Sequence, residues 1–200
     1  ASPQLVEMAG IYQELKPDVV SNNAHMSFLS KHINTHNYLD TQQYVAAGRT
    51  LAASTLYEFD LDQFDHLSAA LVLCLRPIAA SNATGDYQDL EGLSDGNIDV
   101  LGASGESIFG AGRGIKADYL KDIVVAQSFG TSFIRTNNMY VIPFGNLAKA
   151  FHGVIDGALQ FDGSKMRLQI TTPVGFTGGD YDITIYSLYF RCIMQNVKHL

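Results

Sequence analysis

The sequence contains no tryptophan, only two cysteines and few charged residues. Asp, Glu, Lys and Arg make up 16% of its 200 residues, while apolar residues make up 46%. A freely soluble helical enzyme usually carries more charge, so this balance favours a sheet protein that hides much of its surface in contacts. The length is sufficient for one large all-β domain with a core of its own.

Further absences limit the classes of function. The formal net charge is −7, whereas direct binding of nucleic acid needs clustered Lys and Arg. No run of 18 apolar residues exists, so we expect no membrane span. The start shows no charged segment followed by an apolar one, so we expect no signal peptide. The first residue is Ala1 rather than Met, which leaves open whether the chain is processed or is a fragment.

The two cysteines, Cys74 and Cys192, both lie in apolar, strand-like runs. Free cysteine behaves as a small hydrophobic residue, so we predict two buried thiols. A disulfide between them would require the two strands to be neighbours, and the sequence alone leaves that alternative open.

Residues 1–37 are predicted to form an N-terminal helical arm and a connector. Ser2-Pro3 favours a helix start and Lys16-Pro17 ends the helical pattern. We expect the arm to dock on a neighbouring chain or under its own sandwich rather than to enter a membrane, because its acidic residues weaken attraction to anionic lipid. The apolar stripe of the predicted helix consists of Leu5, Met8, Ala9, Tyr12 and Leu15.

From Tyr38 onward the apolar pattern changes to a period of two, which predicts a second, all-β region over residues 38–200. Residues 50–61 are predicted to form one half-buried strand. Residues 67–75 are apolar on both faces and predict a central strand that Pro77 ends. Glycine turn signals fill residues 81–138, which we predict to be a long loop excursion outside the core with a short helix at about 116–125.

The C-terminal part has clearer alternation. Strands are predicted at residues 139–144, 166–170 and 181–194, with a short helix at 147–151. The apolar side of the last strand changes from odd to even positions, which predicts a bulge near residues 186–188.

Short strands, long loops and no βαβ alternation predict a jelly-roll β-sandwich of two antiparallel sheets, with short helices in its loops and the N-terminal helical arm. The residues predicted to be buried in its core are Tyr57, Phe59, Leu71, Leu73, Leu168, Ile170 and Ile185.

The C-terminal segments also resemble the closing part of double-jelly-roll major capsid proteins of viruses. The residues that carry this resemblance are an aromatic strand that ends in Phe144, a glycine-containing corner at 153–161, an alternating strand at 166–170 and a final strand Tyr-Asp-Ile-Thr-Ile-Tyr-Ser-Leu-Tyr-Phe-Arg at 181–191. Residues 99–109 are similar to loop segments of some of these proteins. The resemblance covers residues 38–200 and matches the C-terminal jelly roll. A complete double jelly roll needs nearly twice this length, so the alternatives are one half of such a protein or a single-jelly-roll relative.

The resemblance implies a structural subunit of an icosahedral capsid that self-assembles into trimeric or pseudo-hexameric capsomers and resides in the virion. Its implied partners are copies of itself and other capsid subunits, with minor capsid proteins or an inner membrane beneath the shell as further candidates. The function of the family is structural, so it implies no enzyme activity, catalytic residues, cofactor or metal.

Two clusters contain side chains of the kinds that bind metal ions. His25, His32 and His36 lie in the predicted connector, and the last two share one face if the segment is helical, but no carboxylate or cysteine stands at a matching spacing. A second cluster combines three carboxylates with one imidazole, but it lacks the turn glycine and distant glutamate of a calcium loop, so a solvated strand end is preferred over a weak interface calcium site. The residues of this second cluster are Asp60, Asp62, Asp65 and His66.

Two glycine-rich segments do not fit known motifs. Residues 110–116 lack the spacing of a phosphate-binding or dinucleotide-binding loop. In Gly102-Ala103-Ser104-Gly105 the closing glycine comes one residue too early for a nucleophile elbow. Both segments are interpreted as loops.

Aromatic residues of the last strand suggest an alternative function, a carbohydrate- or receptor-binding module such as a lectin-like head or vertex protein. The residues concerned are Tyr181, Tyr186, Tyr189 and Phe190, and the absence of tryptophan weakens this alternative. Core and interface packing is the preferred interpretation of these side chains.

Overall fold

The computed structural model describes residues 34–78, 90–110, 114–124, 138–161 and 165–195, with side chains described between residues 37 and 192. Most of the predicted N-terminal arm, residues 1–33, lies outside these ranges. The described residues belong almost entirely to one compact unit, Asn37–Cys192. None of the helices within these ranges is long and apolar enough to cross a bilayer.

The described part of the chain contains nine strands and two short helical segments. The helical segments are a π-helical turn at Tyr119–Val124 and helix α1 at Leu147–Ala150. The strands are β1 (Asn34–Leu51), β2 (Leu56–Asp60), β3 (Leu67–Pro77), β4 (Asn97–Leu101), β5 (Ile115–Lys116), β6 (Met139–Pro143), β7 (Leu159–Gln160), β8 (Arg167–Thr171) and β9 (Gly179–Gln195).

The strands form two sheets. Sheet A has the order β1-β9-β3-β6, with β7 also pairing with β3, and sheet B has the order β2-β8-β4-β5. The pairs β2–β8, β4–β8, β3–β6 and β3–β9 are all antiparallel. The chain passes between the sheets as it goes from β1 to β2, β2 to β3 and β3 to β4, which is the double winding of a jelly roll. The predicted fold class is therefore confirmed.

The core lies between the two sheets and follows the alternation of the strands. Leu71, Leu73 and Leu75 of β3 have no exposed surface, nor have Ile183 and Ile185 of the neighbouring β9. Their counterparts across the sandwich come from sheet B, where the fully buried side chains are Ile98, Val100, Leu168 and Ile170.

Six of the seven predicted core residues are buried, and Tyr57 is the exception. The Tyr57 side chain is half-buried because its hydroxyl oxygen accepts a hydrogen bond from the exposed Ala52 N–H, at 2.7 Å. A phenol that packs on the core and keeps its polar tip at the surface satisfies both parts of the side chain.

The prediction that residues 81–138 lie outside the core is wrong. This segment supplies β4 and β5, half of the strands in sheet B. Its glycines mark close backbone approach: Gly114 has φ +70°, and a Cβ there would lie 2.5 Å from the Ile98 carbonyl oxygen. β4 and β5 have only five and two residues, so their alternation of apolar and polar residues is too short to be detected among these turn signals.

The single strand predicted over residues 50–61 is also wrong, because a turn at 52–55 divides it into the end of β1 and the whole of β2. Ser54 adopts φ 53° in this turn. The buried Thr172 hydroxyl oxygen accepts a hydrogen bond from the Thr55 N–H at 2.9 Å and lies 2.6 Å from the Ala52 carbonyl oxygen. The odd positions Leu51 and Phe59 still face the core on both sides of the turn, so the alternation continued across it.

The irregularity predicted near residues 186–188 lies close to that place but in the neighbouring strand. Ser68 is opposite Tyr189 and Ala70 is opposite Leu188, so Ala69 of β3 has no partner in β9. The Ser68 and Ser187 hydroxyl groups, both buried, hydrogen-bond to each other at 2.5 Å beside this bulge.

Candidate interaction surfaces

The acidic cluster after β2 is arranged as a solvated strand end. Asp60, Asp62 and Asp65 are exposed. The His66 ring stacks on Tyr189 with 4.2 Å between ring centroids, and its Nε2 lies 3.1 Å from Asp65 Oδ1. Within the ranges that the structure describes, no group of three or more His, Cys, Asp or Glu residues could hold a metal ion.

The histidine cluster of the predicted connector lies largely outside the described residues. His25 and His32 lie outside the described residues, and His36 belongs to β1 without a described side chain. The absence of a metal site at these three histidines therefore remains a prediction from their spacing.

The glycine-rich segment Gly102-Ala103-Ser104-Gly105 forms a hydrogen-bonded turn. In the turn after β4, the Gly102 N–H donates to the Glu106 carbonyl oxygen at 2.8 Å, and the Gly105 N–H donates to the Gly102 carbonyl oxygen at 2.9 Å. The Ser104 hydroxyl donates to the Glu106 carboxylate, which lowers the pKa of Glu106. A serine hydroxyl bound in this way to an exposed carboxylate holds a turn.

The four aromatic residues of β9 do not form one exposed platform. Tyr181 is buried against Phe176 with 5.3 Å between ring centroids, and burial raises its pKa. Tyr189 packs on His66 at the end of the sandwich, and Phe190 is half-buried and packs against the core. Tyr186 is half-buried and lies in a different place, on the outer face of sheet A. The interpretation as packing residues fits this arrangement better than the sugar-binding alternative.

The cysteines are unpaired. Cys74 lies opposite Met139 and Thr184, is half-buried, and has its pKa raised to about 11 by burial. Cys192 is exposed, so the prediction of a buried thiol is wrong at that position, and so is the disulfide alternative. Cys192 lies near the end of β9, where the strand is exposed.

The outer face of sheet B is polar. We define it by the outward residues of β2, β8, β4 and β5. Arg167 donates to Glu58 at 2.6 Å, and Gln169 donates to the other oxygen of the same carboxylate at 3.0 Å. Asp99 is buried but satisfied, since its Oδ1 accepts from the Ser107 hydroxyl and the Val100 N–H, both at 2.8 Å.

The outer face of sheet A is mainly apolar. We define it by the residues that face away from the buried Leu71 and Leu73. Because directly opposite residues in an antiparallel pair share a face, the pairings place two rows of side chains across β6, β3 and β9. The first row is Val141, Val72 and Tyr186, and the second row is Met139, Cys74 and Thr184.

An ion pair closes one end of this apolar face. Arg76 donates to Asp182 at 2.8 Å, and this hydrogen bond is the main reason why the pKa of Asp182 is lowered. Asp182 also accepts from the Gly48 N–H at 3.1 Å, which ties β1 to β9. The two charges neutralise each other, whereas Asp180, the preceding outward residue of β9, is an exposed carboxylate that accepts a hydrogen bond from the Thr50 hydroxyl at 2.6 Å.

At the opposite end of β9, a polar cluster joins it to β1. Asp40 accepts from its neighbour Thr41 N–H at 2.8 Å, from Arg191 at 3.0 Å and from the Tyr189 hydroxyl at 3.1 Å. In that order these bonds lower the pKa of Asp40. Asp40, early in β1, thus meets the late β9 residues Tyr189 and Arg191, whereas the later Gly48 meets the earlier Asp182. This order is the one expected for an antiparallel β1–β9 pair.

A short loop after α1 exposes apolar side chains on a firmly held backbone. Phe151, Val154 and Ile155 are each about half exposed. The loop is held by a hydrogen bond from the Asn146 N–H to the Asp156 carbonyl oxygen at 2.8 Å and by a 2.6 Å ion pair between Lys149 and Asp156. An ordered loop with exposed apolar groups is typical of a contact surface.

The sequence signal for these surfaces lies in β3. The apolar character of its even positions indicated a strand covered on both faces, but not which neighbour covers it. The charge partners came from residues more than 100 positions apart, such as Arg76 and Asp182, and single-strand patterns do not predict such pairs.

Neither a protein-family model nor a curated protein matches the sequence. Among solved structures, the chain is similar to the Faustovirus major capsid protein, with a TM-score of 0.63 and 10% identity over 86% of this chain and 36% of that one. It is also similar to the PBCV-1 virus capsid, with a TM-score of 0.54 and 12% identity over 86% of this chain and 52% of that one. The chain thus spans about half or less of the length of these structures. At this level of identity the likeness confirms the jelly-roll fold that the resemblance implied.

Proposed function

We propose that this chain is a structural, non-catalytic subunit of an icosahedral viral capsid and resides in the virion. The observation that carries the proposal is the likeness in fold to two viral capsid structures. Because one fold can serve many functions, the fold needs support from the surfaces of this particular chain.

The surfaces of the chain support a role in assembly. The outer face of sheet A is mainly apolar, and the loop after α1 exposes Phe151, Val154 and Ile155. The aromatic side chains of β9 are divided between the core, the end of the sandwich and the outer face of sheet A. These features favour protein–protein contacts over recognition of a small ligand.

The primary partners in this proposal are copies of the chain itself. In this proposal, jelly rolls that stand side by side form trimeric or pseudo-hexameric capsomers. Other capsid subunits, minor capsid proteins or a membrane beneath the shell are further partners that the proposal allows. Direct binding of nucleic acid is not part of it, since the chain has a formal net charge of −7.

Sedimentation velocity of the purified chain tests the proposal. The expected result is association that increases with concentration and needs no ligand. A chain that stays monomeric up to millimolar concentration and binds immobilised glycans would contradict the capsid function and favour the lectin-like alternative.

The predicted N-terminal arm has its own test. Deletion of residues 1–16 is expected to leave the sandwich folded, as measured by circular dichroism, and to weaken association in the same sedimentation assay. Unchanged association, or outright unfolding, would show that the arm does not connect neighbouring subunits.

A further inference from the structure

Three connections meet at the end of the sandwich where β1, β3 and β8 finish and β2, β4 and β9 begin. They are the turn at 52–55, the segment at 91–96 before β4 and the loop at 172–178. Between them lies an open cleft of about 650 Å³, which we call the three-loop cleft. Rigid scaffolds often place binding residues on such converging loops. The lining of the cleft includes Ser54, Ser94, Asp95, Thr171, Val174 and Phe176.

Backbone contacts fix the walls of the three-loop cleft. The Ser54 N–H donates to the Pro173 carbonyl oxygen at 3.1 Å, which joins the turn after β1 to the loop after β8. The Phe176 N–H donates to the same oxygen at 3.2 Å. A Cβ at Gly96 would lie 2.8 Å from the Thr171 carbonyl oxygen, so the segment before β4 packs closely on the end of β8. The cleft therefore has a preformed shape, and a ligand would not need to order its walls.

Two residues of the cleft hold an unusual backbone conformation. Ser54 has φ 53° and Asp95 has φ 64°, and these are the two described residues other than glycine with a positive φ. Such values cost energy and persist where neighbouring contacts hold them, often at binding sites. The Asp95 N–H donates to Asp118 Oδ2 at 3.1 Å, and the Asp95 carbonyl oxygen accepts from Lys116 Nζ at 2.8 Å. The backbone of Asp95 is thus held by the protein, and its side chain lines the cleft.

Four polar side chains of the cleft have no partner within the described part of the chain. They are the hydroxyl groups of Ser54, Ser94 and Thr171 and the carboxylate of Asp95. The neighbouring Thr172 hydroxyl differs, because it is buried and already bonded to the backbone. A hydroxyl group can donate and accept, and a carboxylate can accept from several donors. Together these groups match a ligand that carries several hydroxyl groups of its own.

The chemistry of the lining excludes other classes of ligand. Among the described residues that line the cleft, Asp95 is the one charged residue, so a phosphate or another anion would meet repulsion and no cation. A single carboxylate gives calcium too few ligands. The hydroxyl groups disfavour a wholly apolar ligand, whereas Val174, which is 86% exposed, offers an apolar contact beside them. A neutral sugar combines the two requirements, since it has hydroxyl groups at its edge and C–H groups on its ring face.

We propose that the three-loop cleft binds a neutral carbohydrate, the terminal sugar of a glycan. In this site Asp95 accepts hydrogen bonds from the sugar hydroxyls, Ser94 and Thr171 complete the polar contacts, and Val174 packs on the ring face. The inference goes beyond the proposed function, because a shell subunit needs no ligand to assemble. It also does not involve the stacked Tyr189, which lies at the opposite end of the sandwich.

The composition of the cleft sets the strength of binding. Phe176 is the aromatic residue among the described lining, and it is buried, so no ring is available to stack on the sugar. We therefore expect weak binding by one site, with a Kd of about 1 mM. Many copies of the chain on one particle would raise the overall affinity by roughly 10²–10⁴.

Binding of the full chain to an array of immobilised neutral and sialylated glycans tests the site. Asp95→Asn removes the carboxylate and keeps the shape of the side chain, and asparagine tolerates a positive φ. Asp60→Asn is the matched control, because Asp60 is an exposed carboxylate at the far end of β2. We expect the parent and Asp60→Asn to bind neutral glycans alike, and Asp95→Asn to bind them at least about tenfold more weakly.

Thr171→Val gives a second measurement, since it removes one hydroxyl group at nearly constant volume. We expect it to weaken binding of the same glycans by about threefold or more. Circular dichroism establishes that each variant is folded, and Thr171→Val decides the test if Asp95→Asn is not.

The outcomes separate this inference from the proposed function. A parent chain that binds no glycan, or binds only sialylated ones, would overturn the neutral carbohydrate site. Equal binding of neutral glycans by the parent, Asp95→Asn and Thr171→Val would overturn it as well. The capsid function would stand in each case, because it is tested by association in sedimentation, which these substitutions are expected to leave unchanged.

Discussion

The substitution Leu73→Ala measures how far the core between the sheets determines stability. Leu73 has no exposed surface and lies opposite Tyr140 of β6 and Ile185 of β9, both buried. The change removes three carbon atoms, worth about 2.4 kcal/mol of transfer free energy at about 0.8 kcal/mol each. Strands on both sides hinder collapse of the cavity, so the total loss in unfolding free energy should reach about 3–5 kcal/mol.

Val72→Ala is the matched control, because Val72 is the next residue of the same strand and points to the outer face, where it is half-buried. It should cost about 1 kcal/mol, since it loses fewer carbon atoms and part of the β-propensity of valine. Urea unfolding followed by circular dichroism, at a concentration low enough to prevent association, measures both variants. A loss below about 1 kcal/mol for Leu73→Ala, or an equal loss for both variants, would refute the placement of Leu73 in a close-packed core.

Three further predictions follow from individual contacts. Gly114→Ala should lower the free energy of unfolding by about 2 kcal/mol or more, as measured by urea unfolding. Gly110 also has φ +70°, but no atom lies within 4 Å of the new Cβ, so Gly110→Ala should cost only about 1 kcal/mol; equal losses would refute the close approach of β5 to β4. Because its pKa is lowered in the folded state, Asp182 stabilises the fold above its ordinary pKa of 3.8 and loses this effect as the pH falls below that value. Asp182→Asn should therefore be less stable than the parent at pH 6, with the difference closing in acid; a difference independent of pH would contradict the ion pair. A neutral alkylating reagent should modify Cys192 of the folded chain quickly and Cys74 slowly, because burial raises the pKa of Cys74 to about 11. Mass spectrometry measures both modifications, and equal rates would contradict the burial of Cys74.

The strands that the sequence predicted well are those with a long, regular alternation. In β3 the fully buried Leu71, Leu73 and Leu75 stand at every second position, and in β8 Leu168 and Ile170 alternate with polar residues. These patterns are local, and each strand shows its own inward face. They sufficed for the fold class and for most of the core.

The parts that the sequence did not predict depend on partners far along the chain. β5 has two residues, and its place in sheet B depends on the approach of Gly114 to Ile98. Much of β1 is polar or exposed because it lies at the end of the strand order of sheet A, so its first residues resembled a connector. The turn at Ser54 depends on the buried Thr172 hydroxyl, more than 100 residues away.

The same limit applies to the candidate surface. That β3 is apolar on both faces could be predicted from Val72 and Cys74. The charge of Arg76 on this face is neutralised by Asp182, and only the register between β3 and β9 reveals that pairing. Cys192 is likewise exposed because it lies near the end of β9, which the apolar run around it does not indicate.

Quantitative mass spectrometry of purified virus particles tests the central claim most directly. If the chain is a capsid subunit, peptides from residues 37–192 should be among the most abundant in the particle, whether the chain runs alone or within a longer polypeptide. Particles in which these peptides are absent, or present at only trace amounts relative to another shell protein, would contradict the claim.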